Sequence, residues 1–379
     1  MRILIASNAG WVPSGYGTQI KYLAPGLKGL GHEIAVFAFH GLEGLPTEID
    51  GILHYPKGFV KYGNDVVVAH AQAFQADILL TLFDPWALRP DLGQLTRWVS
   101  WGPVDCVPVP AQTLQAYQHA WKVIAYSKFG QEQLLKSGVD AHYIPHGVNC
   151  DVFRPMPKSV GRGLLGLPED IFLVGMVAAN QTPFPTRKSF ERNMEAFAIF
   201  HDRHPDARMH IHSYAGQELG GVDLAKLAHF FEIQDIVTFP SPYQYLYGFT
   251  EDRMAQLYSA FDVLLGASMG EGFQLPVLES AACGRPAITT NFSGNVEITF
   301  SGWLVEWRER VMTGIYTYQV LPDVDSIVER LEEAYEADRE AVGMRCREEA
   351  LKYHWPKLLT EYWRSYLEEL EAELTGRQA

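Results

Sequence analysis

Residues 2–41 read RILIASNAGWVPSGYGTQIKYLAPGLKGLGHEIAVFAFHG. RILIASN is a short apolar run without polar alternation, the pattern of a strand buried on both faces. A glycine-containing loop follows, then a helical pattern that ends near Gly29 to Gly31, then EIAVFAF as a second strand. This β-α-β unit begins a parallel sheet.

Working outward, further apolar runs follow at DVVVAHA (65–71), ADILLTLF (76–83), RWVSW (97–101), KVIAYS (122–127) and AHYIPHG (141–147). They alternate with helical segments such as AQTLQAYQHA and FGQEQLLKSG, so the first half reads as an α/β layer. After PHGVNCDVFRPMPK (145–158), rich in turn residues, the pattern restarts with IFLVGMVAAN (171–180). The helix FERNMEAFAIFHDRHP and the strands ARMHIHSY, DIVTFP, DVLLGAS and PAITT follow. Two similar α/β halves are the simplest account, with the cleft between them as the expected ligand site. The tail from Asp325 is helical by periodicity, interrupted at Pro356.

A chain of 379 residues exceeds what one core usually organises. Hydrophobic content of 47% with 20% charged residues fits a folded enzyme. Lys and Arg total 31 against 45 Asp and Glu, a formal charge of −14, so nonspecific attraction to nucleic acid is disfavoured and an anionic ligand needs a local positive site. Weak peripheral contact with a membrane stays open. The N-terminus lacks a signal-peptide pattern and no run of about 18 apolar residues occurs, so a cytoplasmic location is expected. Cys106, Cys150, Cys283 and Cys346 are scattered and read as buried thiols.

SMGEGFQLPVLESAACGRPAITT (268–290) carries the chemistry. Pro276 suits a first helical turn and Gly284 its end, so a helix runs roughly from Leu275 to Cys283. Its N-terminal amides, preceded by Gly270 and Gly272, can receive a phosphate. Glu271 then sits on the loop and Glu279 about one turn inside the helix, and carboxylates accept hydrogen bonds from hydroxyl-rich groups. Positive charge comes from AANQTPFPTRKSFERNMEAF (178–197), where Arg187, Lys188 and Arg192 lie at or beyond a loop-to-helix junction. A solvated surface pair is the plain alternative for the first two.

Glu271-Gly272-Phe273-Gln274-Leu275-Pro276 followed by Glu279 resembles the paired-glutamate motif of the large group-four family of retaining glycosyltransferases with the GT-B fold. The resemblance implies two Rossmann-like domains facing across a cleft, with Glu271 at the donor sugar and Glu279 at the nucleotide ribose. The amides of Gly272, Phe273, Gln274 and Leu275 would hold the diphosphate. Asn180-Gln181 followed by Arg187-Lys188 is similar to the family's basic segment, with a longer intervening loop. Asn180 is thereby expected among the donor contacts, and Arg187 and Lys188 at the leaving diphosphate.

In the family that the chain resembles, the loop after the first strand closes over the donor phosphates and the acceptor, so the resemblance assigns Gly15 and Gly17 there; by themselves they read as an ordinary tight turn. A dinucleotide fingerprint is disfavoured there, because Ile20 stands where a third glycine belongs. Many relatives carry a histidine after the strand matching RWVSW. This chain has Asp105, which either faces the acceptor or forms a turn. His146 reads first as a structural histidine at a turn. Asp323 to Asp325 read as a helix cap, and His210 with His212 as strand positions in place of a metal site.

The expected domains are 1–157, with a C-terminal helix 357–379 crossing back, and 158–356. The expected activity is retaining, metal-independent transfer of a hexose from a nucleotide-diphosphate sugar, with no cofactor. The acceptor is open among glycan, lipid-linked and small molecules, and UDP, GDP and ADP donors all stay open. Trp11, Tyr16, Trp86 and Trp101 are either stacking surfaces for the acceptor or core. PSPYQYLYGF (240–249) is a candidate contributor to the base pocket. Rival readings are a sugar-nucleotide epimerase, a phosphorylase, or a noncatalytic sugar-nucleotide binder.

Overall fold

The computed structural model describes residues 1–376. The chain divides into two compact units, Met1–Gly147 with the segment from Tyr353 onward, and Val148–Lys352. The first junction precedes the expected 157/158 because residues 150–153 belong to the second unit. There Phe153 packs on Tyr258 at 6.1 Å between ring centroids, and Arg347 donates to the carbonyls of Phe153 and Cys150 at 2.6 and 3.1 Å. Of the expected C-terminal helix 357–379, the described part starts earlier, with Pro356 in the first turn of Trp355–Leu358, and runs to Thr375. Residues 377–379 lie outside the described residues.

The first unit holds eight strands: β1 (Arg2–Asn8), β2 (Glu33–His40), β3 (Thr47–Ile49), β4 (Ile52–Pro56), β5 (Ile78–Leu82), β6 (Trp98–Gly102), β7 (Lys122–Ala125) and β8 (Ala141–Tyr143). Their order is β3-β4-β2-β1-β5-β6-β7-β8, parallel except for the β3–β4 pair. Strand β1 is central and buried on both faces, as its unbroken apolar run requires. Leu4, Phe37, Leu79, Trp98 and Val123 belong to one core. The valine-rich run at 65–71 is helical instead of extended, in Val67–Phe74. Its buried residues Val67, Ala71 and Phe74 follow a helical period, which overrides the β preference of valine.

The second unit holds β9 (Phe172–Val177), β10 (Ala207–His212), β11 (Val237–Thr238), β12 (Val263–Gly266), β13 (Ala287–Thr290) and β14 (Trp303–Val305), in the parallel order β11-β10-β9-β12-β13-β14. This is the doubly wound order, and it places a topological switch point between β9 and β12, where the following loops diverge and a ligand crevice opens at the carboxyl ends. Gly175 in β9 is required by packing, since a Cβ there would lie 2.2 Å from the Phe261 ring. An antiparallel hairpin, β15 (Trp307–Met312) and β16 (Tyr318–Pro322), follows; the reading of the sequence had no strands there. Val320 of β16 donates to the carbonyl of Met269 at 3.0 Å, so the hairpin braces the loop after β12.

A buried charge cluster closes the bottom of this unit. Asp262 accepts from Arg162 and Lys158 at 2.7 and 2.6 Å and from the Leu173 amide at 2.7 Å, with both Arg162 and Asp262 buried. The pairing joins helix Lys158–Leu165 to the starts of β9 and β12. Asp262→Ala leaves a buried guanidinium without its counterion and is expected to lower stability by about 3–5 kcal/mol. Denaturant unfolding of the two proteins checks this, and a loss within measurement error removes the cluster from the account of the fold.

Candidate active site

The loops after β9 and β12 flank the switch point and carry the charged residues singled out above. Lys188 and Arg187 come from the first, Glu271 from the second. The Met269 amide donates to the Arg187 carbonyl at 2.9 Å and ties the two loops together. Glu271 is 5% exposed, and its carboxylate accepts from Lys188 Nζ at 2.5 Å and Arg187 Nη1 at 3.1 Å. Arg187 also donates to the Gly270 carbonyl at 2.8 Å. Arg192, the third basic candidate, turns away and donates to the Pro322 carbonyl at 3.2 Å.

The backbone around Glu271 is fixed as firmly as its side chain. Its amide donates to Ser293 Oγ at 2.8 Å, and its carbonyl accepts from the Gly294 amide at 2.9 Å. Ser189, Gln274 and Ser293, at φ of 49°, 79° and 67°, all hold left-handed backbone. Such conformations cost about 1–3 kcal/mol each in a non-glycine residue and persist where surrounding structure enforces them, as it does at functional sites.

Helix Leu275–Ala282 begins at this loop, with Pro276 in its first turn. Gln274 precedes it without capping it; the Gln274 side chain donates to the Gly266 carbonyl at 2.8 Å instead. The helix head is therefore free of a side-chain cap, and Gly272, Phe273, Gln274 and Leu275 lead into the positive end of the helix dipole. Glu279 lies one turn further on and accepts from the Tyr258 hydroxyl at 2.6 Å.

The two glutamates are held in opposite electrostatic states. Burial pushes the Glu271 carboxyl up, but Lys188 and Arg187 outweigh it and bring the group down to about 2. Burial pushes Glu279 up to about 7; the Tyr258 hydroxyl opposes this and the charge of Glu251 adds to it. Glu271 thus stabilises the fold above the ordinary carboxylate range, and that contribution is lost as pH falls towards 2. Glu279 has the opposite sign: its protonated form is the stabilised one, and its contribution declines as pH rises from the ordinary range through 7.

Asn180, expected among the donor contacts, is instead spent on the chain itself. Its amide nitrogen donates to the carbonyls of Tyr214, Gly216 and Val222 at 3.0, 3.2 and 2.7 Å, and its oxygen accepts from the Val222 amide at 2.9 Å. It positions the 214–222 loop. Asn193, which the reading of the sequence passed over, does the same for the basic loop: it donates to the carbonyls of Lys188, Ser189 and Ala267 at 3.2, 2.8 and 2.9 Å. A polar residue among Phe190, Met194 and Phe197 on the buried face of its helix was the available signal. Ser293 and Tyr258 carried no comparable sign.

In the first unit, Gly15 opens helix Gly15–Gly29 behind the cap Ser14, whose hydroxyl accepts from the Gly17 amide at 3.1 Å. Gly17 is required by a close approach, because a Cβ there would sit 2.2 Å from the Val12 carbonyl. Between them, Tyr16 donates to Asp84 at 2.9 Å. Burial raises the Tyr16 hydroxyl well above the ordinary tyrosine value, and the charges of Asp84 and Asp105 act in the same direction. His146 is buried against Tyr126 and Trp101, at 4.1 and 4.7 Å between centroids, and burial takes it down to about 3.

Asp323 caps helix Val324–Glu336, accepting from the amides of Asp325 and Ser326 at 2.8 and 3.2 Å. His210 pairs with Thr238 Oγ1 at 2.9 Å, and burial holds His210 and His212 neutral, down to about 3 and 4. Among the described residues no group of three or more His, Cys, Asp or Glu is placed to hold a metal, and no helix is long and apolar enough to cross a membrane.

Residues 172–335 match the family described as Glycosyl transferases group 1, and the match contains the whole Arg187–Lys188–Glu271–Glu279 constellation. A D-inositol 3-phosphate glycosyltransferase of Thermobispora bispora is 29% identical over 193 residues, covering 48% of this chain and 42% of that protein. The Paenarthrobacter aurescens protein of the same name is 26% identical over 239 residues, covering 62% of this chain and 53% of its own. The chain thus spans about half the length of these relatives. In fold it is similar to sucrose-phosphate synthase from Thermosynechococcus elongatus, with a TM-score of 0.78 at 18% identity over 98% of this chain and 99% of that one. HepE from Anabaena, in complex with UDP and glucose, gives 0.70 at 17% identity over 98% and 100%. Residues 172–335 thus match the group 1 glycosyl transferases, and the two doubly wound sheets have the GT-B type of fold.

Proposed function

We propose that this protein transfers a sugar from a nucleotide-diphosphate sugar to an acceptor hydroxyl, with retention at the anomeric carbon. The observation that carries the reading is the Lys188–Glu271–Arg187 cluster beside the uncapped head of helix Leu275–Ala282, at the β9/β12 switch point. Two cations and a helix dipole suit a diphosphate, and a permanently ionised carboxylate suits sugar hydroxyls. The names of the relatives and the UDP and glucose of the Anabaena complex support the same class.

In this reading Arg187 and Lys188 neutralise the leaving diphosphate, together with the amides of Gly272 to Leu275, and no metal takes part. Glu271 orients the sugar, and Glu279 accepts from the ribose. The bond from the anomeric carbon to the diphosphate oxygen breaks as the acceptor oxygen bonds to that carbon on the same face. The acceptor proton passes to the departing phosphate. At about 2 for its carboxyl, Glu271 stays anionic across the working range and supplies no proton. Asp105 faces the acceptor, Gly15 and Gly17 shape the loop beside it, and the reaction takes place in the cytoplasm.

Lys188→Ala and Glu271→Ala are each expected to lower kcat/KM for transfer by at least about tenfold, as for lost transition-state contacts. Assay with a radiolabelled UDP-sugar and an acceptor pool checks this, and wild-type rates in both variants sink the assignment. The same assay without acceptor separates an epimerase, which would yield a new sugar nucleotide.

Glu279 makes donor binding depend on pH. Only its carboxylate accepts from both ribose hydroxyls, so nucleotide-sugar affinity is expected to weaken by up to about tenfold from pH 8 to pH 6, a change that Glu279→Gln flattens. Calorimetric titration at the two pH values decides it; equal affinities in the wild type contradict the ribose role.

A further inference from the structure

The loops at the carboxyl ends of the first sheet combine exposed aromatic rings with acidic groups. Trp86, two residues beyond Asp84, is 51% exposed. Its ring meets Tyr62 at 6.5 Å, Tyr62 meets Phe83 at 5.0 Å, and Phe83 meets Tyr16 at 5.1 Å between centroids. Tyr16 in turn donates to the half-buried Asp84 carboxylate at 2.9 Å. An aromatic wall therefore leads from solvent to a fixed hydrogen-bond acceptor, beside the β1/β5 switch point of this sheet.

Charge narrows what such a surface can take. Among the described residues of these loops, the cations are already engaged: Lys57 with Glu43 at 2.5 Å, Arg89 with Asp91 at 2.6 Å, and Lys61 over the Tyr62 ring at 4.8 Å. Lys128, at the head of the next helix, lies 6.0 Å over the Tyr143 ring. A phosphorylated ligand needs cations within hydrogen-bond reach. Here it would meet Asp84 and Asp105 instead, and like charge in a half-buried site is repulsive. A saccharide or polyol fits: its C–H face packs on an aromatic ring and its hydroxyls donate to a carboxylate.

We propose that the acceptor is an uncharged sugar or polyol, lying against Trp86 and Tyr62 with a hydroxyl donated to Asp84. Calling this molecule the acceptor rests on the glycosyl-transfer reading, whereas its binding does not. In that respect the chain departs from the relatives whose names specify an inositol phosphate.

The test is binding to the full chain, measured by saturation-transfer NMR with glucose, sucrose and myo-inositol against glucose 6-phosphate and inositol 3-phosphate. At least one neutral compound is expected to bind about tenfold or more tighter than its phosphorylated counterpart. Trp86→Ala is expected to weaken that binding about fivefold and Trp86→Phe to retain most of it, with UDP affinity unchanged in both. Tighter binding of the phosphates, binding of neither set, or indifference to Trp86→Ala overturns the proposal. Failure of the transfer reading shows separately, as absence of UDP-sugar binding.

Discussion

A carboxylate taken out of water costs several kcal/mol unless cations and hydrogen bonds replace what water supplied. Glu271 meets that condition with Lys188 and Arg187, helped by the Ser268 hydroxyl, and the second unit is organised around keeping these groups together. The loop after β9 must deliver two cations to the loop after β12, so β9 and β12 must be neighbours, as the doubly wound order makes them. Asn193 fixes the near ends of both loops, and the left-handed residues Ser189, Gln274 and Ser293 turn the backbone at the required points. The carboxylate in turn keeps the two cations from repelling each other.

The parallel sheets were legible because buried strands such as β1 and β9 are written as unbroken apolar runs between glycine and proline turns. The helix after Glu271 was legible from Pro276 and Gly284. The run at 65–71 was not, since three valines satisfy a strand pattern over a short window and only the buried set Val67, Ala71 and Phe74 reveals the helix. The β15–β16 hairpin escaped notice because β15 is polar and mostly exposed, while β16, though buried at Gln319, Val320 and Pro322, is only five residues long and ends in proline.

At the site, residue types announced themselves and partners did not. Glu271, Arg187 and Lys188 stand out as charges beside turns, yet nothing in linear order says that they meet. Asn180 was legible as a residue of interest but not in its use, since three of its partners lie more than thirty positions away. The difference between the two glutamates was likewise invisible: it comes from cations at one and from burial near Tyr258 and Glu251 at the other.

The hairpin that braces the Glu271 loop does so from the middle of its second strand, through the bond from Val320 to Met269. Its tip, residues 313–317, is closed on itself by Thr313 and Thr317 and ends in an exposed Tyr316. Length added at such a tip leaves the register at the base intact. The hairpin therefore works as a handle: residues 314–316 are exposed, so affinity tags or fluorophores grafted there would sit on the element that braces the Glu271 loop while leaving the geometry of Glu271 as it is.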